Sequence, residues 1–451
     1  MKKKDTNISR RSFLSKTSYI LAGIGVGSVA RWEILTGVSK KLFPEASANT
    51  GAATGPKRMI ELSFRSGVPF MLLGTSDEFA SLGNPQFTCS PWRDNEYVQA
   101  ENGLYLNENT RALRAHASNI AITQNIRPET GHTNNFDIRR GGRDADLMNP
   151  IVQLANKNTT QSVTQGVKWG RQNSVVNETK GAQDLTPVDN DSFLDLFKKP
   201  YFPVSDRDLA AISKASEKLS RQQALLLEKA VKNASNLAKD QKKAAELITT
   251  DYKDLLDING MPSTLTNGSG RYEDMGKALA YSVKAMEHNL INSSHVVITT
   301  GDWHGFQSVG DNARAQMQFA DQVSKQVGEV INFLKNTPDP ASEGQTLWDT
   351  TVIVMNSEFT RGLSPMGRDN SDGRTQGQVL IGKDVKGGFY GSFDLTGGGY
   401  GTAQGFDKDT GAPTPGMRNS ASQGYHTVQH LVGNTEDNYN SSEVMKAMVK
   451  G

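Results

Sequence analysis

Two short runs in the last third of the chain carry the side chains best suited to chemistry. Gly301-Asp302-Trp303-His304 follows the apolar run His295–Thr300, and Asn356-Ser357-Glu358-Phe359-Thr360-Arg361 follows Thr350–Met355. Further on, Gly424 to Gly433 holds His426 and His430 and reads as the start of a helix. A carboxylate and two imidazoles brought together with one position open suit a catalytic zinc, which takes three N or O ligands and a water. The spacing of Asp302 and His304 is a weak signal by itself, because Asp-x-His is common. His430, one turn beyond His426, reads as packing beneath its helix rather than ligating. His116 and His295 flank apolar residues and read as core or boundary histidines. Arg139, Arg140 and Arg143 read as a solvated loop with local ion pairs, an anion clamp being the other reading. Gly397 to Gly405 lacks the Lys-Ser/Thr of a phosphate-cradling loop.

These residues need elements to hold them. Arg58 to Phe64 alternates as a strand should, and Asn119 to Ile126 reads as a second strand after a helix over Thr110–Ser118, with Leu113 and Ala117 four apart. Residues 130–195 are polar and Gly- and Asn-rich, predicting surface loops with short helices. Tyr272 to Asn292 predicts a helix, His295–Thr300 a buried strand, Asn312 to Asn336 a helix, Thr350–Met355 a buried strand, and Gln378 to Gly382 one more. Short, continuously apolar strands alternating with amphipathic helices predict an α/β fold: a mostly parallel sheet covered by helices on both faces. In such sheets ligands gather beyond the carboxyl ends of the strands, where Asp302, His304, Glu358 and Arg361 fall. Residues 205–258 differ, being rich in Ala, Lys, Glu, Leu and Gln with no Gly or Pro. Ile212, Leu219 and Leu226 lie seven apart, predicting a helical insertion folded as a hairpin, with a partner-binding coiled coil as the other reading.

The chain has 451 residues and a formal net charge of +2, but the charge is uneven. Residues 1–48 hold nine Lys or Arg against three Asp or Glu, so the remaining body is net acidic at −4. That excludes a whole-domain electrostatic case for nucleic acid. A single cysteine, Cys89, excludes an intramolecular disulfide framework. Ser9-Arg10-Arg11-Ser12-Phe13-Leu14-Ser15-Lys16 precedes an uncharged run, Thr17 to Ala30, and Ala46-Ser47-Ala48 supplies small residues for a peptidase. This resembles the twin-arginine signal that takes folded proteins across the bacterial inner membrane, and predicts a leader over 1–48 and a mature domain over 49–451. The twin-arginine translocase is then a partner during export, and the location is periplasmic. Arg31, Glu33, Lys40 and Lys41 lengthen the stretch before the cleavage site, so a residual inner-membrane tether is a second outcome.

Several stretches together resemble an uncharacterised bacterial family of twin-arginine-exported proteins distantly related to alkaline phosphatases and sulfatases. They are the leader, Phe64-Arg65-Ser66-Gly67, the strand running from Asn119 on to Thr130-Gly131-His132, Gly301-Asp302-Trp303-His304, Asp349 to Val354, Ser357-Glu358-Phe359-Thr360-Arg361, Gly367-Arg368-Asp369, Gly387 to Gly391, and His426 to Gly433. The resemblance implies an alkaline-phosphatase-like α/β fold with Asp302, His304 and His426 at one metal site and Asp369 at a second. It also implies a cleft lined by Glu358, Arg361, Asn370 and His132. Divalent metal, zinc or calcium, is the implied cofactor, and a phosphate, sulfate or related ester the implied substrate. The chain departs from the family in two places. Asn370 stands where the family commonly has His, and the loop after the first strand is apolar, with Pro69 where a nucleophile or ligand is usual. Ser63 and Ser66 are the remaining nucleophile candidates. Two functions follow: an exported ester hydrolase keeping one metal site, or a non-catalytic periplasmic relative that binds an envelope partner through loops or the 205–258 helices.

Overall fold

The computed structural model describes residues 57–65, 68, 70–80, 97–127, 139, 141, 148–157, 166–170, 185–197, 214, 252–268, 270–299, 311–357, 375–394, 402–434 and 439–451. All of these except Lys214 belong to one compact unit, 49–198 with 252–451. A second unit comprises 1–48 and 199–251, and in it Lys214 is helical and exposed.

The first unit is built on a nine-stranded sheet. Its strands are β1 (Arg58–Arg65), β2 (Ile120–Arg127), β3 (Val167–Trp169), β4 (Thr186–Val188), β5 (Ser293–Thr299), β6 (Thr351–Ser357), β7 (Gln376–Ile381), β8 (Gly388–Tyr390) and β9 (Asn419–Ser420). Across the sheet the order is β8-β2-β7-β6-β1-β5-β3-β4, with β9 pairing the end of β2. Every pairing is parallel except those of β7, which runs antiparallel to both β2 and β6. The expected α/β architecture is therefore present, with one strand reversed. Apolar content predicted a buried strand over Gln378–Gly382, observed at Gln376–Ile381, but direction leaves no trace in side-chain pattern. The central strands are buried on both faces, and all seven residues of β6 are inaccessible, as parallel sheets require.

Register divides the sheet into two faces. On one, Ile60, Leu62 and Phe64 of β1 lie level with Ile353 and Met355 of β6 and with Val296 and Ile298 of β5. This face is covered by α3 (Arg271–Glu287) and α4 (Asp311–Asn336). Phe64 meets Phe319 of α4 edge-on, and Ser282 of α3 hydrogen-bonds Ser294 of β5. Helix α4 buries Phe319, Val323, Val327, Val330, Ile331 and Leu334, a three-and-four spacing that makes one apolar stripe. On the other face Met59, Val354, Leu380 and Ala121 pack against α1 (Pro150–Lys157) and α5 (Ala421–Leu431). Between α1 and α3 in the chain comes α2 (Asn190–Phe197), whose Phe193 ring lies tilted against Trp169 and Tyr281.

Four expectations needed revision. The helix predicted over Thr110–Ser118 is a 3₁₀ helix over Glu108–Asn119. Its buried residues Thr110, Leu113 and His116 fall three apart, so the tighter winding eclipses them on one side. The helix predicted to run to Asn292 stops at Glu287, because Asn289 takes a left-handed conformation (φ 53°) and Leu290 N–H closes onto the Ala285 carbonyl. The region 130–195, expected as loops with short helices, also supplies two three-residue strands, β3 and β4. Pro187 fits there because β4 is the sheet's edge. Of the expected 205–258 insertion, residues 252–258 are not helical, 253–256 forming a turn and Asn259 N–H donating to Asp257 Oδ1; 205–251, apart from Lys214, lies outside the described residues. No helix among the described residues is long and apolar enough to cross a membrane.

Candidate functional site

The sheet has one rim at which β1, β2, β5, β6 and β8 end and β7 begins. In sequence, Ser66 follows Arg65 directly, His132 comes five residues after Arg127, Asp302 and His304 three and five after Thr299, and Glu358 and Arg361 one and four after Ser357. Asp369 and Asn370 lie in the connection that opens β7. All eight of these residues, like Pro69, lie outside the described residues; His426 is the one expected metal ligand whose surroundings are defined.

His426 sits in the second turn of α5, whose amino end is fixed at the rim. Ser420 caps that helix by accepting from Gln423 N–H, while Gln423 reaches back to the Ser420 N–H, and Ser420 itself pairs with Arg127. The His426 ring is nearly inaccessible, edge-on to Tyr425 and Tyr439, and its Nδ1 accepts from Asn440 N–H at 3.3 Å. Burial holds the imidazole below its ordinary value, and the Glu443 carboxylate opposes that. A neutral ring accepting at Nδ1 carries its proton on Nε2, so ligation through Nε2 requires the other tautomer and loss of the Asn440 contact. His430, expected beneath the helix, is exposed and bonds Tyr439 Oη through Nδ1 at 2.8 Å. Among the described residues no group of three or more His, Cys, Asp or Glu is placed to hold a metal ion.

Directly under the rim the structure reveals a buried polar network that spacing alone did not announce. Glu61 and Ser63 of β1, His295 of β5, Asn356 of β6 and Gln378 of β7 share the face covered by α1. Gln378 donates to Asn356 Oδ1 (3.2 Å) and Asn356 Nδ2 donates to Glu61 Oε1 (2.9 Å). Ser63 Oγ and His295 Nε2 are 2.9 Å apart. Arg139 completes the network, its Nε 3.7 Å from Glu61 Oε1 and its Nη1 3.4 Å from His295 Nε2. Arg139 is therefore not the solvated loop residue the sequence predicted: only 5% of it is exposed. The cause is electrostatic, since a fully buried carboxylate needs a cation, and Arg139 supplies it. His295 is a buried histidine as expected, and Ser63 is fully buried, which withholds it from substrate. The available signal for the network was an interruption of pattern: Glu61 and Ser63 break an otherwise apolar strand at alternate positions, and Asn356 and Gln378 do the same in theirs.

Burial pushes the Glu61 carboxyl above the usual carboxylate range, opposed by the Arg139 guanidinium and the Asn356 and Asn149 amides. Between the ordinary glutamate value and this raised one, the native state holds more protons than the unfolded chain, so Glu61 costs stability progressively as pH rises. The expected result is that the unfolding free energy of Glu61→Gln, minus that of the wild type, increases with pH through that window and then levels off. Urea titrations at several pH values from about 4 upward, near the ordinary glutamate value, measure it; a flat or falling difference contradicts the assignment.

No family model matches the sequence, and no curated protein matches it. Among solved structures the chain is similar to a protein in the alkaline phosphatase superfamily from Vibrio parahaemolyticus (TM-score 0.30, 12% identity, 91% of this chain and 76% of that one). It is also similar to the lipoteichoic acid synthase LtaP from Listeria monocytogenes (TM-score 0.32, 10% identity, 91% and 79%). A third similarity is to BT1596, a 2-O GAG sulfatase (TM-score 0.30, 12% identity, 84% and 71%).

Proposed function

We propose that the chain is an exported, alkaline-phosphatase-like hydrolase that uses a divalent metal on a phosphate, sulfate or related ester. The observation that carries this reading is topological: the parallel neighbours β5, β1 and β6 all end at one rim, and the segments bearing Asp302, His304, Glu358 and Arg361 begin there. The donor set, Asp302, His304 and His426, with Asp369 assigned to a second site in the scheme, mixes carboxylate and imidazole as zinc prefers. Bound there, a cation supplies Lewis acidity toward an ester oxygen. Asp302 and His304 would hold it, Arg361 would pair with the anionic oxygens of the ester, and Glu358 would accept hydrogen bonds in the cleft. Export through the twin-arginine translocase to the periplasm suits a protein that takes up its metal before crossing.

Protein purified without chelator is expected to carry about one equivalent of divalent metal, the single open zinc-type site of the scheme, and His304→Ala to carry none. Metal absent from the wild type under every loading condition, or undiminished in His304→Ala, removes this reading. A second reading, a non-catalytic envelope-binding relative, is favoured by one observation. The segment after β1, where a nucleophile would be expected, packs inward: Val68, Phe70, Leu72 and Leu73 are all buried. Under that reading a co-purifying partner disappears when residues 205–258 are deleted.

A further inference from the structure

Three elements meet at the rim opposite the candidate site, and between them they set one amine apart. Lys335 lies in the last turn of α4, His116 in the 3₁₀ helix over Glu108–Asn119, and Trp348 in the short helical turn Leu347–Thr350 that precedes β6. Lys335 Nζ stands 3.1 Å from His116 Nδ1 and 5.0 Å from the centre of the Trp348 ring. His116 and Trp348 are buried, whereas Lys335 is partly exposed and within reach of a small reagent. Other lysines of α3 and α4 are neutralised locally: Lys277 pairs with Glu273, Lys284 with Glu287 and Lys325 with Asp321. Among the described residues no carboxylate pairs with Lys335, and its hydrogen-bond partner is an imidazole.

Burial, and after it the neighbouring Lys450 ammonium, holds the Lys335 amine below the usual lysine value. Burial and then Lys335 hold the His116 ring below its ordinary value, while the Asn332 side chain opposes them. Desolvation and a second cation are the usual means of turning a lysine into a nucleophile, and a proton acceptor in hydrogen-bond reach completes the pair. We propose that Lys335 is a site of covalent acylation, with small acyl phosphates as donors and His116 as the proton acceptor. The neutral Nζ attacks the acyl carbon, a C–N bond forms, and the bond from that carbon to the bridging oxygen breaks. Phosphate leaves with the bonding electron pair, the amine proton passes to His116 Nδ1 and then to solvent, and nothing is oxidised or reduced. The choice of donor follows from charge, since the leaving phosphate is anionic and Lys450 offers a cation beside the amine. The product suits its surroundings: the amide keeps an N–H for Nδ1, Trp348 gives the acyl group an apolar surface, and residues 335 and 450 no longer repel. This chemistry is separate from the candidate ester site and needs no metal there.

In the test, the full chain is treated with acetyl phosphate in large excess, then unfolded, and the remaining amines are capped with deuterated acetic anhydride. Mass spectrometry of the digest gives the extent of reaction at every lysine, with Lys325 as the reference on the same helix. Lys335 is expected to react about a hundredfold faster than Lys325, the lower end of what a positioned proton acceptor contributes. His116→Asn keeps an acceptor near the position of Nδ1 but takes up no proton, and is expected to bring Lys335 down toward the Lys325 rate. Asn332→Ala is an exposed change that leaves the imidazole in place without its neighbour. It is expected to give an intermediate rate, and it decides the matter if the His116 variant does not fold. Equal rates at Lys335 and Lys325 in the wild type overturn the assignment, as does a Lys335 rate unchanged in both variants.

Discussion

Replacing Asp339 with alanine is expected to lower the unfolding free energy by about 3–5 kcal/mol, as removing one partner of a fully buried ion pair does. The Asp339 and Arg58 side chains are both wholly inaccessible. Arg58 Nη1 and Nη2 meet Asp339 Oδ2 and Oδ1 at 2.6 and 2.9 Å, a two-pronged fit. Thr350 Oγ1 closes the triangle, accepting from Arg58 Nη1 at 2.8 Å and donating to Asp339 Oδ2 at 2.7 Å. The triangle joins the first residue of β1, the turn that follows α4 and the residue before β6, all at the rim opposite the candidate site. Alanine at 339 strands a guanidinium in the interior, where hydration cannot reach it. The double replacement Arg58→Met with Asp339→Leu removes both charges and is expected to cost far less than the single change. Urea unfolding of the three proteins measures this. A loss below about 1 kcal/mol for Asp339→Ala, the range of exposed pairs, shows that the triangle is solvated in solution.

The second large effect is expected at Phe64. Phe64→Ala should cost about 3–5 kcal/mol, the range for deleting a buried aromatic and leaving a cavity. Phe64 is fully inaccessible and meets Phe70 and Phe319 edge-to-face, with ring centroids 5.7 and 5.4 Å away. Each such pair adds about 0.5–1.5 kcal/mol beyond area burial. The position matters because Phe64 ties β1 at once to α4 and to the inward-packed segment after the strand. Phe64→Leu refills most of the volume and is expected to recover the greater part of the loss. Denaturant midpoints with unchanged slopes confirm a stability effect alone; an alanine variant as stable as the leucine one indicates a site that collapses without a cavity.

Much of the frame was legible because apolar runs identify themselves. The strands at 58–65, 120–127, 293–299 and 351–357 and helix α4 lie where their periodicity put them, within a residue or two. What escaped has physical reasons. Three-residue strands such as 167–169 are shorter than one period of evidence, and they exist because a neighbour already offers hydrogen-bonding groups. The 3₁₀ winding over Glu108–Asn119 turned a spacing of three into an apparent spacing of four, since Ala117 happens to be buried beside His116. Around the rim, the sequence pointed to Asp302, His304 and Glu358 by position after strands. It gave no weight to Glu61, Asn149, Asn356 and Gln378, whose meaning depends on who stands opposite them across the sheet. A lone carboxylate in an apolar strand becomes interpretable once Arg139 is seen beside it.

The reversed strand at 376–381 has a consequence for how such a protein diversifies. A parallel neighbour must be reached by carrying the chain back along the whole sheet, so its connection has a minimum length and a prescribed hand. Strands 351–357 and 376–381 run in opposite senses, so the chain need not recross the sheet between them. Residues 358–375 can therefore lengthen or shorten with no rethreading, each doubling costing only about 0.6 kcal/mol in closure entropy. Selection can remodel that stretch, which carries Glu358, Arg361, Asp369 and Asn370, as a freely exchangeable cassette while the scaffold beneath it is inherited unaltered.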